Sequence, residues 1–375
     1  MPRLVMSPAP KDELASTSSS FVEDRGSSSS SPLSSQRESM VLEELKVIMQ
    51  QESTTYANRF DYISYNVNNN TKNNSDRRKS VITEPLRRKI SEWSFEVVDH
   101  FGFDREVVSI ALNYVDRVAA IRTMQSDESL DRKEFQLIAV AALYIAIKLH
   151  GETDSSSDSY ETTTTTRGKL ESGAFIELSR GLLNQESLQA KELEILQMLQ
   201  WQMNPPTPAR IAATLLTLVP SFPGQQQQEH MTVVSATYEM ASYLTELSLC
   251  VSAITLCYRP SEIAYASILC ALEAVEQKVP IPYSVRVAFT TKIKAATPSL
   301  TPASVAPVCT FLHNLQQLHP DMFSVFSSDS TNTTTQQHLA EEDDLDRNTS
   351  PVCVVPHQHT CPLSSPHKQQ YLYRG

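Results

Sequence analysis

Glycine is scarce in this chain: 8 residues in 375, about 2% against a usual ~7%. Phosphate-cradling loops, βα turns and tight hairpins rely on glycine where φ is positive, so folds built on them start at a disadvantage. Neither GxGxxG nor GxxxxGK(S/T) occurs anywhere. Long apolar runs are missing too. The longest, Leu137 to Ile147, has 11 residues, where a membrane-spanning helix takes about 20. Positive charge is not in excess: 32 Lys and Arg face 43 Asp and Glu, for a net charge of −11. A general nucleic-acid binder draws its phosphate affinity from clustered Lys and Arg, so this balance argues against one. The first residues include Asp12 and Glu13 and no apolar stretch, which argues against a secretory signal. Six cysteines without framework spacing fit a reducing compartment. The expectation is a soluble, intracellular, helical protein that binds neither nucleic acid nor membrane.

What is present divides the chain sharply. Residues 1–39 hold 13 serines, residues 66–74 hold six asparagines, and residues 152–166 hold ten Ser or Thr. From about Ser327 onward the chain is rich in Ser, Thr, Gln, His and acid, with four acids in a row at Glu341–Asp344. Such segments bury too little to offset the entropy of ordering them, and they read as disordered. The organisation expected is a disordered tail at 1–39, a helix and Asn-rich linker at 40–81, and a folded unit at 82–204 carrying a disordered insert at 152–166. A second folded unit follows at 205–322, then a tail at 323–375.

Both folded units have helical periodicity. Thr83 is placed to cap a helix with Pro85 in its first turn. Leu86, Ile90, Trp93 and Val97 follow on one face of that helix, which ends near Gly102. Asp104 is placed to cap a second. The third, Phe135 to Leu149, is apolar on nearly all sides and belongs at the centre of a bundle. Short helices near 172–180 and 185–200 follow, the latter stopped by Pro205, Pro206 and Pro208. The second unit repeats the plan, with Pro260–Glu276 as its alanine-rich central helix and a last helix near 302–317 that Pro307 should kink or shorten. No strand pattern competes. The fold class is all-α, with two tandem helical bundles.

Catalytic signals are thin. No HExxH, ExxH pair or GxSxG is present. Cys353, His357, His359 and Cys361 offer metal-ligand types, but structural zinc sites keep stricter spacing, and a polar tail with chance spacing explains them. Cys250, Cys257 and Cys270 fall on helical stretches, where a thiol is ordinarily a small core residue. No metal, cofactor or catalytic residue is assigned, and the chain reads as a non-enzyme.

One constellation does stand out. Leu86-Arg87-x-x-Ile90-x-x-Trp93 is followed by Asn113-Tyr114-Val115-Asp116-Arg117, then by Gln136-Leu137 leading to Lys148, then by Glu192 ahead of Leu193, Ile195, Leu196, Leu199 and Trp201. This order and spacing resembles the cyclin box, the five-helix unit of cyclins, strongly over about 82–201 and more weakly through 207–318. The Asn, Gln and Thr tracts resemble those of algal cyclins, diatom ones among them.

The resemblance implies two tandem five-helix cyclin-like bundles and a regulatory subunit that activates a cyclin-dependent Ser/Thr protein kinase in the cell cycle, in nucleus and cytoplasm. It implies that Lys148 and Glu192 bind backbone groups of the kinase beside its αC helix. A cation and an anion on neighbouring helices, framed by apolar surface, suit such a grip by charge-assisted hydrogen bonds. It implies a structural ion pair between Arg87 and Asp116. It also implies a docking groove for Arg-x-Leu substrates or inhibitors, made by Leu86, Ile90, Trp93, Glu96 and Gln136; the same stripe is equally fitted to pack into the core. The segment 41–63 resembles the helix that precedes the box. Departures bear on the choice of kinase: His150 and Gly151 stand where cyclins commonly have acids, Lys89 takes a normally apolar place, and the Ser/Thr insert separates Lys148 from Glu192 by 44 residues. Rival uses of the fold are a transcription-type cyclin and a helical scaffold without a kinase partner.

Overall fold

The computed structural model of the chain describes residues 32–57, 60–65, 82–125, 130–151, 172–178, 181, 184–222 and 227–318. The Asn-rich stretch, the Ser/Thr insert, the C-terminal segment with its Cys/His cluster, and residues 1–31 lie outside the described residues. Among the described residues no strand occurs.

The first helix, α1 (Pro32–Ser53), begins inside the stretch expected to be tail. It packs on the second bundle, where Leu45 is fully buried in the core. A single helical turn at 62–65 follows, and Tyr62 sits in the core of the first bundle. The N-terminal segment therefore touches both bundles.

The first bundle comprises α2 (Glu84–Phe101), α3 (Glu106–Gln125), α4 (Arg132–His150), α5 (Ser172–Leu178) and α6 (Gln185–Met198). Helix α4 is its centre: Phe135, Ile138, Ala141, Ala142, Leu143 and Ala146 have no exposed surface. Burying a large aliphatic side chain stabilises by about 1.5–3 kcal/mol. The alanines between them let α3 and α6 approach closely. Thr83 adopts the extended backbone of a cap, but its hydroxyl accepts no α2 N–H; its carbonyl takes the bonds from Leu86 and Arg87. Helix α2 stops at Gly102, which has φ +68 and sends its N–H to Asp99 O, while Phe103 N–H reaches Val98 O. This left-handed cap needs glycine for its dihedral alone, since nothing lies within 4 Å of where a Cβ would sit. Asp104 starts α3 by accepting the Glu106 N–H at 2.7 Å. Asn184 and Ser187 form a reciprocal capping box at the start of α6.

Helix α6 ends at Met198, two residues sooner than the apolar pattern suggests. Gln200 and Trp201 take φ of 53 and 60, and Trp201 is 66% exposed, whereas Leu199 just before them is buried. The left-handed pair turns the chain before the prolines do.

The second bundle comprises α7 (Pro208–Leu216), α8 (Gln227–Leu249), the short α9 (Ser252–Thr255), α10 (Pro260–Glu276), α11 (Tyr283–Ala296) and α12 (Pro302–Leu318). Its centre is α10, with Ala264, Tyr265, Ala266, Ile268 and Ala271 fully buried. Helix α12 runs through Pro307 to Leu318, so the proline does not shorten it. Val305, Val308 and Leu312 anchor its inner face and outweigh the one backbone hydrogen bond that proline removes.

Polar contacts join the bundles. Arg105 pairs with Asp99 at 2.7 Å in its own bundle and with Glu246 at 3.0 Å across the boundary. Glu84 accepts the Ser252 N–H at the start of α9. Thr207 caps α7 and donates to Glu106 at 2.6 Å. Glu52, at the end of α1, is 2% exposed and accepts both the N–H and the hydroxyl of Ser261 in the first turn of α10. A carboxylate suits that position, because a helix N-terminus presents unpaired N–H groups and a partial positive charge.

Candidate functional site

Lys148 lies in the last turn of α4, and Glu192 lies near the middle of α6. The packing of α4 on α6 brings the two side chains together, with Lys148 Nζ 2.6 Å from Glu192 Oε1. The ammonium also sits 5.7 Å from the centre of the Tyr144 ring, one turn back on the same helix. Tyr144 is held edge-on against Phe175 of α5 at 5.2 Å. The Glu192 hydrogen bond, opposed by burial and helped by the Glu192 charge, raises the Lys148 pKa. Lys148 is 53% exposed and Glu192 16%. Next to them in sequence, Leu149 and Leu193 are 52% and 49% exposed. The result is an ion pair on the surface, each partner followed in sequence by an exposed leucine.

His150 is tied down where acids were expected from the resemblance. Its Nε2 lies 2.8 Å from the Met203 carbonyl oxygen, which can only accept, so Nε2–H donates. Tyr114 Oη donates to the same carbonyl. These bonds fasten the end of α4 to the segment linking the two bundles.

Arg87 and Asp116 form a buried polar centre. Arg87 Nε donates to Asp116 Oδ1 at 2.9 Å and Nη2 to Oδ2 at 2.7 Å, a two-pronged pair with Arg87 1% exposed. Two further partners were not legible in the sequence. Tyr62 Oη donates to Asp116 Oδ1 at 2.8 Å, and Arg87 Nη1 donates to the Leu249 carbonyl at 2.8 Å in the second bundle. Burial alone would lower the Arg87 pKa; the hydrogen-bonded Asp116 carboxylate outweighs it and raises the pKa. Burial, then the Asp116 charge, pushes the Tyr62 phenol well up. The centre therefore keeps its charges while binding α2, α3, the 62–65 turn and α8 to one another.

The stripe on α2 divides. Leu86 and Ile90 are each 7% exposed and belong to the core of the first bundle, so the packing role accounts for most of their surface. Trp93, Glu96 and Gln136 are half-buried. Helix α2 lies against α4, which places Gln136 on the element next to the stripe. Lys89 is exposed, which explains how a charge is tolerated there. Of the cysteines, Cys250 and Cys270 are buried, but Cys257 is exposed and does not serve the core.

Comparison with known proteins bears on the whole of this arrangement. Residues 44–204 match the family model for the cyclin N-terminal domain and residues 224–340 that for the cyclin C-terminal domain. The chain is similar to the G2/mitotic-specific cyclin S13-6 of Glycine max, with 26% identity over 190 residues, 51% of this chain and 34% of the relative. It is similar to Cyclin-D3-2 of Arabidopsis thaliana, with 31% identity over 122 residues, 32% of this chain and 29% of the relative. These matches span about a third of the length of either relative. Among solved structures, a viral cyclin from herpesvirus saimiri aligns with a TM-score of 0.47 and 15% identity, covering 73% of this chain and 95% of that one.

Proposed function

The chain belongs to the cyclin family, whose members are generally regulatory rather than catalytic, and from that premise we propose that it activates a cyclin-dependent Ser/Thr protein kinase in cell-cycle control. The observation that carries the reading is the Lys148–Glu192 pair on adjoining helices, edged by exposed Leu149 and Leu193. A kinase transfers phosphate only when its β3 lysine is paired with the glutamate of its αC helix. A rigid surface that binds αC in that position shifts the equilibrium toward the active form by its differential affinity. Lys148 supplies donors and Glu192 acceptors for backbone groups at the ends of such a helix, and the two leucines cover its apolar side. In the free chain the two charges satisfy each other, so no unpaired group waits in the partner's absence. Exchanging that bond for a partner's costs little, since an exposed pair is worth about 0.2–1 kcal/mol.

The groove follows as the finer part of the proposal. Trp93, Glu96 and Gln136 bind Arg-x-Leu peptides, with Glu96 taking the arginine, over a floor to which Leu86 and Ile90 lend their small exposed area. The same reading places the protein's action in nucleus and cytoplasm, which imaging of a tagged chain checks.

The test is to co-purify the wild type and Lys148→Ala/Glu192→Ala with cyclin-dependent kinases and measure phosphorylation of a Ser-Pro peptide. The wild type is expected to activate and the double variant to fail while melting within a few degrees of the wild type. Equal activation by both removes the site; binding to no kinase removes the function. Trp93→Ala is expected to abolish docking of an Arg-x-Leu peptide while leaving kinase activation intact.

A further inference from the structure

The second bundle contains a pair of thiols that the proposed kinase contact does not use. Cys270 lies in the third turn of α10 and Cys309 in the second turn of α12, and these helices pack along their length. Cys270 Sγ is 4.0 Å from the Cys309 carbonyl oxygen, and Cys309 Sγ is 3.9 Å from the carbonyl oxygen of Ala266, one turn before Cys270. Each sulfur thus reaches the backbone of the helix that carries the other cysteine. Both are reduced. Cys270 is 2% exposed, while Cys309 is half-buried at the mouth of the seam.

We propose that Cys270 and Cys309 form a reversible disulfide when the protein meets a peroxide, stapling α12 to the central helix of the second bundle. The closeness of the thiols is the first requirement of such a bond, which needs Cα atoms about 4.4–6.8 Å apart. The contact of each sulfur with the backbone of the opposite helix points to that approach. The second requirement is a division of labour. The neighbouring Cys270 lowers the Cys309 pKa against burial and the nearby Glu273, while the neighbouring Cys309, followed by burial, raises that of Cys270. Cys309 is therefore the nucleophile, being both the more acidic thiol and the more accessible one. Glu273 itself is bonded to His313, one turn beyond Cys309, at 3.2 Å.

The chemistry balances in two steps. The Cys309 thiolate attacks one oxygen of hydrogen peroxide, forming an S–O bond and breaking the O–O bond, with hydroxide leaving. The Cys270 sulfur then attacks the Cys309 sulfur, forming the S–S bond and expelling the second oxygen, while its proton is released to the hydroxides. Two thiols lose two electrons and two protons, and the peroxide becomes two waters. A dithiol reductant reverses the change.

The loop so closed spans 39 residues, from α10 through α11 to α12. Cross-linking a loop of that size restricts the unfolded chain and should raise the unfolding temperature of the second bundle by about 5 °C or more. The exposed Cys257 is an internal control, because it meets peroxide freely but has no such neighbour among the described residues.

The experiment treats the reduced full chain with hydrogen peroxide and maps its peptides without reduction, with fragmentation to separate Cys270 from Cys250 and Cys257. A Cys270–Cys309 link is expected, together with a rise in unfolding temperature that dithiothreitol reverses and that Cys309→Ser lacks. Oxidation at Cys257 or Cys309 with no link between Cys270 and Cys309 overturns the proposal. So does a link that leaves the unfolding temperature unchanged, since the staple would then be idle. The mapping uses the wild type, so it decides the matter even if Cys270→Ser or Cys309→Ser folds poorly.

Discussion

Removing the carboxylate of Asp116 is the perturbation that most directly tests how the two bundles are held together. Asp116 accepts three hydrogen bonds, two from Arg87 and one from Tyr62. In Asp116→Ala the guanidinium stays in place at 1% exposure with only the Leu249 carbonyl still opposite it. An uncompensated buried charge costs about 3–5 kcal/mol, which corresponds to a fall of roughly 6–20 °C in unfolding temperature for a domain of 150–250 residues. A triple replacement, Arg87→Met/Asp116→Leu/Tyr62→Phe, removes the charge, its partner and the dangling hydroxyl together. The Leu249 carbonyl then keeps a donor, because Ser91 Oγ also reaches it at 3.2 Å. The triple variant is therefore expected to lose less than about 2 kcal/mol, well under the single change, since packed apolar groups often replace a buried pair at little cost. Urea unfolding at neutral pH, followed by far-ultraviolet circular dichroism, gives both values. The reasoning is refuted if the triple variant loses as much as Asp116→Ala, for then shape and not charge is what the centre supplies. A third arm, Arg87→Met alone, should also cost several kcal/mol, because it strands the Asp116 carboxylate beside Tyr62.

Two further outcomes follow from the same geometry. Burial pushes the Glu246 carboxyl up to about 7, with Asp99 and Asp104 adding to the rise and Arg105 opposing it. The folded state thus holds this proton more tightly than the unfolded chain. Its favourable contribution is complete below the unfolded pKa near 4.5 and is lost as pH climbs through about 7. Glu246→Gln should flatten the decline in stability between pH 5 and 8 and leave the protein more stable than wild type at pH 8; a steeper decline in the variant would contradict this. Gly102→Ala places a side chain at φ +68 with no steric neighbour, so its cost is the left-handed backbone alone. Chemical denaturation should show a loss of about 1–2 kcal/mol, and Gly102→Asn should lose less.

Much of this architecture was legible in the sequence because helical periodicity reports burial directly. Phe135–Leu149 and Pro260–Glu276, apolar all round, are indeed the centres of the two bundles, and the glycine at 102 ends its helix for the reason its dihedral demands. Local rules succeed where the deciding contacts are local. They fell short where partners are distant in the chain. Nothing near Arg87 announces the Leu249 carbonyl 162 residues away, and nothing near Glu52 announces Ser261 at a separation of 209. The start of α1 was missed for a related reason: serines at 34, 35 and 39 read as tail, yet the helix is stabilised by Leu45 in the second bundle rather than by its own propensity. Packing keeps the helix through Pro307 at full length, and a backbone turn leaves the apolar Trp201 on the surface. At the candidate site, the sequence named Lys148 and Glu192, but it did not foresee that the two would satisfy each other in the free chain.

The docking of α1 has a consequence for the order in which the protein is made. Leu45 and Glu52 emerge from the ribosome early, but the core and the serine they require belong to helices reaching past residue 260. At about 5–20 residues per second, the 209 residues between Glu52 and Ser261 take about 10–40 seconds to follow. Through that interval α2 to α6 can assemble around α4 with contacts already synthesised, while α1 remains an amphipathic segment with nowhere to bind. Helix α1 is thus translated well before its docking site and seated late, and in the meantime its apolar face is open to whatever chaperone or early partner meets the growing chain.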